Sequence, residues 1–280
     1  MESRHVRITY DSDLTDWAEL RDSTTWPTLL VGNGLSINIW PSFGYNSLFA
    51  SATLDNKCEA VFAAMSTTNF ESVLQSFAQT RVLLEAVHRR RGWLNQLYKT
   101  IRDSLFEAVR EVHIPWEDLT VSTSRVVATT FDDFTRVFTL NYDLIPYWAH
   151  LKCVPDVNMG DFFWGAGLEF DPSDTDLRGT RTGIYYLHGG MHLWQDTLTG
   201  RAGKWQNEGQ PILDSLEGRY RAEATRQPLF VSEGTPEHKV RSIRRSDYLS
   251  FAYDALEDDT ENTVVFGTSL SSPDRPLRQL

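Results

Sequence analysis

An apolar run that stops at a pair of glycines constrains this chain more than any other stretch. Leu29-Leu30-Val31 leads directly into Gly32-Asn33-Gly34-Leu35-Ser36, which is typical of a buried parallel strand that ends in a tight turn before a helix. Glycines allow the backbone to approach a ligand closely, and the N–H groups at a helix start favour an anion such as a pyrophosphate. The alternative is that the two glycines form only a tight turn.

Three later apolar runs also stop abruptly at polar residues or at glycine. In chain order they are residues 136–140, followed by Asn141 and Asp143, residues 183–187, followed by His188, and Thr263–Phe266, followed by Gly267-Thr268-Ser269. The carboxyl ends of strands in an open parallel sheet face the ligand crevice. A histidine at such an end, beside glycines, is a candidate for proton transfer. An equally good explanation of Asn141 and Asp143, taken alone, is that they cap the next helix, over residues 144–151.

Between the first two predicted strands the hydrophobic spacing becomes helical. Apolar residues recur at three- and four-residue steps from residue 69 to about residue 112, and no proline interrupts them before Pro115. We therefore predict an α/β fold, with a Rossmann-like parallel sheet, helices on both faces and a helical insertion at about residues 59–130. Arg89-Arg90-Arg91 falls at the junction of two predicted helices, where a solvated helix end is favoured over a phosphate or nucleic-acid contact.

Composition excludes several classes of protein. The formal net charge of −11 disfavours nonspecific nucleic-acid binding as the main role. Cys58 and Cys153 are the only cysteines, which excludes a disulfide framework and a four-cysteine zinc site. No apolar run is long enough to span a bilayer and no signal-peptide pattern is present, so we expect a cytoplasmic protein without a membrane partner. His188 and His192 have the spacing of half a metal motif, but the glycine pair between them disfavours a helix, and no metal is predicted.

The four strand-end motifs occur in an order that resembles the sirtuin superfamily. In that family the corresponding positions read Gly-Ala-Gly-Ile-Ser, Thr-Gln-Asn-Ile-Asp, a catalytic His-Gly and Gly-Thr-Ser, and the resemblance spans about residues 29–270. The cysteines of the sirtuin zinc ribbon and the Gly-Ile-Pro-Asp-Phe-Arg segment of the deacylases are absent. With residues 37–49, 228–234 and 248–250, the chain looks more like the bacterial sirtuin-like proteins of anti-phage defence, which degrade NAD⁺.

This resemblance implies a single NAD-binding domain over residues 1–280 that hydrolyses the nicotinamide–ribose bond of its substrate NAD⁺. Asn141 is then expected to position the attacking water or the nicotinamide ribose, Asp143 to orient nicotinamide or the ribose-side network, and His188 to act as general base. The Gly32-Asn33-Gly34-Leu35-Ser36 turn is expected to hold the pyrophosphate. Gly267, Thr268 and Ser269 are expected to hold the adenosine ribose or a phosphate.

Other functions remain open at this stage. An NAD-dependent deacylase or ADP-ribosyltransferase and an ADP-ribosyl cyclase would use the same residues. A module that binds NAD⁺ or ADP-ribose without turnover, or that only forms an oligomer, belongs to a different class, although a pure binder would not need both Asn141 and His188. The resemblance also implies a homo-oligomer, and it allows activation by a partner ATPase or a nucleic-acid-sensing protein.

Overall fold

A sheet of five parallel strands lies at the centre of the fold. The computed structural model describes residues 15–206, 212–223, 225–230 and 243–268. The strands within these ranges are β1 (Thr28–Val31), β2 (Arg136–Thr139), β3 (Met159–Gly160), β4 (Thr182–Tyr186), β5 (Gly189–Asp196), β6 (Ala202–Lys204), β7 (Arg226–Phe230) and β8 (Thr263–Phe266). The parallel sheet has the order β3-β4-β2-β1-β8, and a second, antiparallel sheet has the order β6-β5-β7.

The central strands of the parallel sheet are mostly apolar and largely buried because both of their faces are covered. Every residue of β1 and of β4 is buried, as expected for strands packed on both sides. Val31 pairs with Thr139 of β2 and with Phe266 of β8, and Thr139 pairs with Tyr186 of β4. These four strands therefore end at the same level, and the residues that follow them share one edge of the sheet.

Helices surround this sheet, and most of them lie between β1 and β2. The α-helices in the described ranges are α1 (Trp17–Leu20), α2 (Gly34–Ile39), α3 (Tyr45–Ser51), α4 (Asn56–Met65), α5 (Phe70–Ala86), α6 (Gly92–Val112), α7 (Val121–Asp132), α8 (Ile145–Cys153), α9 (Ile212–Ala222) and α10 (Asp247–Glu257). Side chains of Asp55, Asn69 and Thr120 cap α4, α5 and α7 by accepting backbone N–H groups of the first turn. The first of the helices between β1 and β2 begins at Gly34, directly after the turn that follows β1.

Two apolar clusters hold these elements together. One surrounds the parallel sheet and includes α7, α8 and α10. The other joins α3 to α6 with α9 and β5, and α6 contributes Leu94, Ile101, Leu105 and Val109 from one face. The predicted α/β class, with a parallel sheet flanked by helices, is confirmed.

Residues 195–227 are largely polar in sequence, yet their described part contains regular secondary structure. They contain β6, α9 and the start of β7. Trp205, Ile212 and Leu216 are buried in this region, and their apolar contacts order it despite the many polar neighbours. In the described part of the chain, no helix is long and apolar enough to cross a membrane.

Candidate functional site

The four predicted motifs meet at one edge of the parallel sheet. They follow β4, β2, β1 and β8, which are adjacent in the sheet order. Thr139 of β2 pairs with Tyr186 of β4. Asn141 lies two residues after Thr139 and His188 two residues after Tyr186, so both lie at the same level of the sheet. Four motifs that are far apart in sequence are thus brought to one edge of the sheet, the edge at which open α/β sheets bind ligands.

Ser36, Asn141 and Asp143 form a buried chain of hydrogen bonds at this edge. The Asn141 Nδ2 donates to Ser36 Oγ at 2.7 Å, and Ser36 Oγ donates to Asp143 Oδ2 at 2.5 Å. All three residues are at most 3% exposed. The serine is the link, because its single proton goes to the carboxylate and its lone pairs accept the amide.

Asp143 also caps the helix that follows it. Its Oδ1 accepts the backbone N–H of Ile145, the first residue of α8, at 2.8 Å. One oxygen of this carboxylate thus bonds the backbone at the start of α8, as the capping alternative expects, and the other accepts the hydroxyl of Ser36. Burial raises the pKa of Asp143, while the nearby His113 and the hydrogen bonds from Ser36 and Ile145 lower it in part.

One atom of this network has no hydrogen-bond partner among the described residues. The Oδ1 of Asn141 is buried and accepts no hydrogen bond within the described ranges. An unsatisfied buried acceptor costs about 1–3 kcal/mol, and such atoms are common where a ligand or water completes the contact. Asn141 Oδ1 is therefore an available acceptor at the carboxyl edge of the sheet.

The glycines of the first motif pack against the turn after β8. The Gly34 N–H donates to the carbonyl of Gly267 at 2.8 Å, and the Leu35 N–H donates to the carbonyl of Gly32 at 3.0 Å. A Cβ on Gly34 would lie 2.5 Å from Gly267 Cα, and one on Gly32 would lie 2.6 Å from Thr268 Cβ. The absence of side chains is thus required by turn-to-turn packing, independently of any ligand.

The remaining residues of these two motifs have separate contacts. Asn33 donates from Nδ2 to the Phe43 carbonyl at 3.3 Å, and Leu35 packs against the apolar cluster of the parallel sheet. Thr268 is partly buried beside Gly32, whereas Ser269 lies outside the described residues. Pyrophosphate binding by the first motif and ribose or phosphate binding by the last therefore stay predictions.

His188 lies in the turn that links the two sheets. It is 4% exposed and is followed by Gly189, where φ is +78° and the chain enters β5. A Cβ on Gly189 would lie 2.0 Å from the Leu229 carbonyl oxygen, so only glycine fits this approach of β7. The turn holds His188 at the level of Asn141, as the motif order predicted.

Comparison with known proteins adds a family to this geometry. Residues 29–280 match the DUF4917 family, described as a domain of unknown function. The chain belongs to that family. The match begins in β1 and includes all four strand-end motifs. No curated protein matches the chain.

The DUF4917 domain also places at the site a histidine that sequence reasoning missed. His113 follows α6, where its Nδ1–H donates to the Ile114 carbonyl and its Nε2 accepts the Leu144 N–H, both at 2.8 Å. These two bonds fix a neutral tautomer, and burial lowers the pKa of His113 accordingly. Its contacts to residues distant in sequence leave no signal in the local pattern.

A second set of buried polar side chains in the DUF4917 domain involves β5 and β6. Lys204 Nζ pairs with Asp161 Oδ2 at 2.6 Å, and the His192 ring stacks on Tyr147 with centroids 4.5 Å apart. Neither ring nitrogen of His192 has a hydrogen-bond partner in the described part of the chain. No group of three potential metal ligands occurs among those residues either.

We expect the free energy of unfolding to fall less in His192→Phe than in the wild type as the pH is lowered. Burial, and then the charge of Lys204, lower the pKa of His192 well below the usual 6.5. Its stabilising contribution is therefore present above the unfolded pKa and is lost as the pH falls, because only the unfolded state gains the proton. Between about pH 6.5 and 5.5 the wild type should lose about 1 kcal/mol more than the variant.

Urea unfolding at several pH values measures this difference. His88→Asn, at an exposed histidine, is the surface control. An equal acid loss in wild type and His192→Phe would show that His192 takes up a proton in the folded state.

Proposed function

We propose that this DUF4917 protein hydrolyses NAD⁺ at the nicotinamide–ribose bond and releases nicotinamide and ADP-ribose. The observation that carries the proposal is the buried Asn141 Oδ1 without a partner in the described ranges, at the edge where His188 and the two glycine turns also lie. The resemblance of the four motifs to sirtuin-like NAD hydrolases selects NAD⁺ among possible ligands.

The reaction makes modest chemical demands, which this site can meet. The bond breaks with development of positive charge on the ribose, and catalysis depends on holding the substrate and placing a water molecule. An acceptor aimed at that water or at a ribose hydroxyl orients it, and a histidine within reach can take its proton. Asn141 and His188 are assigned these two roles.

The Ser36–Asp143 pair has a positioning role in the proposal. Because Ser36 donates its proton to Asp143, it can only accept from Asn141, so the amide must turn its NH₂ group toward the serine. The Asn141 Oδ1 then faces away from Ser36, toward the position proposed for substrate.

The glycine turns support the proposal by positioning α2, and not by donating hydrogen bonds to a pyrophosphate as the sequence suggests. The N–H groups of Gly34 and Leu35 already donate within the protein, so a pyrophosphate would need other donors. In this proposal, the packing of the two turns serves to hold α2, and with it Ser36, in place against Asn141. The resemblance further implies a cytoplasmic role in which NAD⁺ depletion limits phage infection, through a homo-oligomer and an activating partner.

Product analysis after incubation with NAD⁺ tests this function. We expect nicotinamide and ADP-ribose in equal amounts, with a rate that falls at least about 100-fold in Asn141→Ala and in His188→Ala, since each removes a group that acts on the reacting atoms. Asn38→Ala, at an exposed asparagine of α2, should retain the wild-type rate.

The products also separate the alternatives. Cyclic ADP-ribose in place of ADP-ribose would identify a cyclase that uses the same residues. Binding of NAD⁺ without turnover, measured as a higher melting temperature, would indicate a sensor. The absence of both turnover and binding would contradict the site assignment.

A further inference from the structure

The end of the α5–α6 hairpin exposes apolar side chains and arginines together. This hairpin tip comprises residues 82–93, in which Leu83 is 68%, Val87 63% and Trp93 59% exposed. Arg89 and Arg90 are also exposed. Exposed tryptophan and arginine beside aliphatic residues are typical of protein interfaces, and a contiguous apolar patch on a surface marks a docking site.

The charge of the hairpin tip indicates an acidic partner. Arg91 pairs with Glu85 at 2.7 Å, but Arg89 and Arg90 form no salt bridge with any described residue. The charges of Arg89 and Arg90 lie beside apolar side chains and have no counterion among the described residues. They therefore favour a partner whose surface presents carboxylates next to apolar groups.

The same chain carries such a surface at the other end of α6. A pocket of about 820 Å³ there has an acidic rim and some apolar wall, formed mainly by Asp103, Glu107, Glu111, Pro115, Leu213 and Asp214. Asp103, Glu107 and Glu111 are spaced four residues apart on one helix face, where like charges destabilise the helix. Arg110 is the basic residue of this lining and is paired with Glu107, while Asp103 is paired with its neighbour Arg102 at 3.0 Å.

A single chain cannot bring these two surfaces together. Both are attached to α6, which is continuous from Gly92 to Val112. At about 1.5 Å of rise per residue, Asp103 is roughly 17 Å and Glu111 roughly 29 Å from Gly92 along the helix. We propose that the hairpin tip of one copy docks into the acidic pocket of a second copy, in a head-to-tail association.

This contact would reach a residue next to the candidate site. His113 forms part of the pocket wall, and its Nε2 accepts the Leu144 N–H directly after Asp143. The association itself does not rest on the proposed NAD⁺ hydrolysis. Its test measures the molecular mass of the protein in solution and not its activity.

Two charge-reversal variants test the association by light scattering after size exclusion. R89E/R90E removes the basic tip and keeps the pocket, whereas D103K/E111K reverses the pocket and keeps the tip. We expect the wild type to associate at low salt and less at high salt, because the contact is between exposed charges, and each variant alone to be monomeric. Mixed in equal amounts, the two variants should associate again, since the basic tip of one fits the acidic pocket of the other and the reversed tip fits the reversed pocket.

Two further proteins complete the test. The fourfold variant R89E/R90E/D103K/E111K should associate with itself again, because both surfaces have exchanged sign. R125E/R178E changes two exposed arginines elsewhere by the same charge and should keep the wild-type mass. Circular dichroism confirms that each variant is folded.

Three outcomes would overturn the proposal. A wild type that is monomeric at every concentration tested would exclude the association. A D103K/E111K variant that still associates would indicate contact between two tips rather than between tip and pocket. A mixture of the two variants that stays monomeric would show that the surfaces do not complement each other.

Discussion

Gly34→Ala is expected to lower the free energy of unfolding by about 3 kcal/mol or more, because the added methyl group has no space. Its Cβ would lie 2.5 Å from Gly267 Cα and 2.9 Å from the Gly267 carbonyl oxygen, and both are backbone atoms. The two turns must separate to admit it, which also breaks the 2.8 Å bond from Gly34 N–H to that carbonyl. Ser36 would move with α2, so the hydrogen-bond network at the sheet edge should be lost as well.

Gly92→Ala is the matched control for this substitution. A Cβ at Gly92, the first residue of α6, meets no atom within 4 Å. We expect its free energy of unfolding to stay unchanged or to rise by up to about 0.5 kcal/mol, since alanine restricts the unfolded chain more than glycine does. Urea unfolding compares the two variants with the wild type. Equal stability of Gly34→Ala and Gly92→Ala would show that the turn after β8 does not pack as described.

The sequence predicts the location of the candidate site better than its internal contacts. Apolar runs that end at Gly32, Asn141, His188 and Gly267 indicate parallel strands, and parallel strands of one sheet direct their carboxyl ends to the same edge. The bond from Asn141 to Ser36 could not be predicted in this way, because it joins residues 105 positions apart and depends on the placement of α2. The glycine pattern likewise predicted a turn correctly, but not that a second turn would fill the space beside it.

Residues whose role depends only on tertiary contacts were missed. His113 follows a long amphipathic helix, and nothing in that pattern indicates that its ring would support the residue after Asp143. Lys204 and Asp161 are separated by 43 positions, and no local pattern indicates that they pair in a buried region. Such contacts are specified by the packing of whole elements, which local periodicity does not determine.

Ser36→Ala and Asp143→Asn are expected to destabilise the protein strongly and in a coupled way. Ser36→Ala leaves the Asn141 NH₂ group and one oxygen of Asp143 buried without partners, which should cost about 3 kcal/mol. Asp143→Asn keeps one acceptor for two donors, the Ser36 hydroxyl and the Ile145 N–H, and should cost about 2 kcal/mol. Each single variant removes the Ser36–Asp143 hydrogen bond, but the double variant loses this bond only once. The destabilisation of the double variant should therefore be about 1–2 kcal/mol smaller than the sum of the two single values.

This coupling distinguishes a shared network from two separate structural roles. If Asp143 only caps α8 through Ile145, its substitution and that of Ser36 should add within about 0.5 kcal/mol. Asp156→Asn, at an exposed carboxylate that pairs with Arg125, provides the control pair with Ser36→Ala and should show such additivity. Urea unfolding of the single and double variants gives both values. A coupled cycle would also support the proposed function. The serine proton that links Ser36 to Asp143 fixes the orientation of the Asn141 amide. This orientation in turn sets the direction of Asn141 Oδ1, the acceptor that the substrate is proposed to meet.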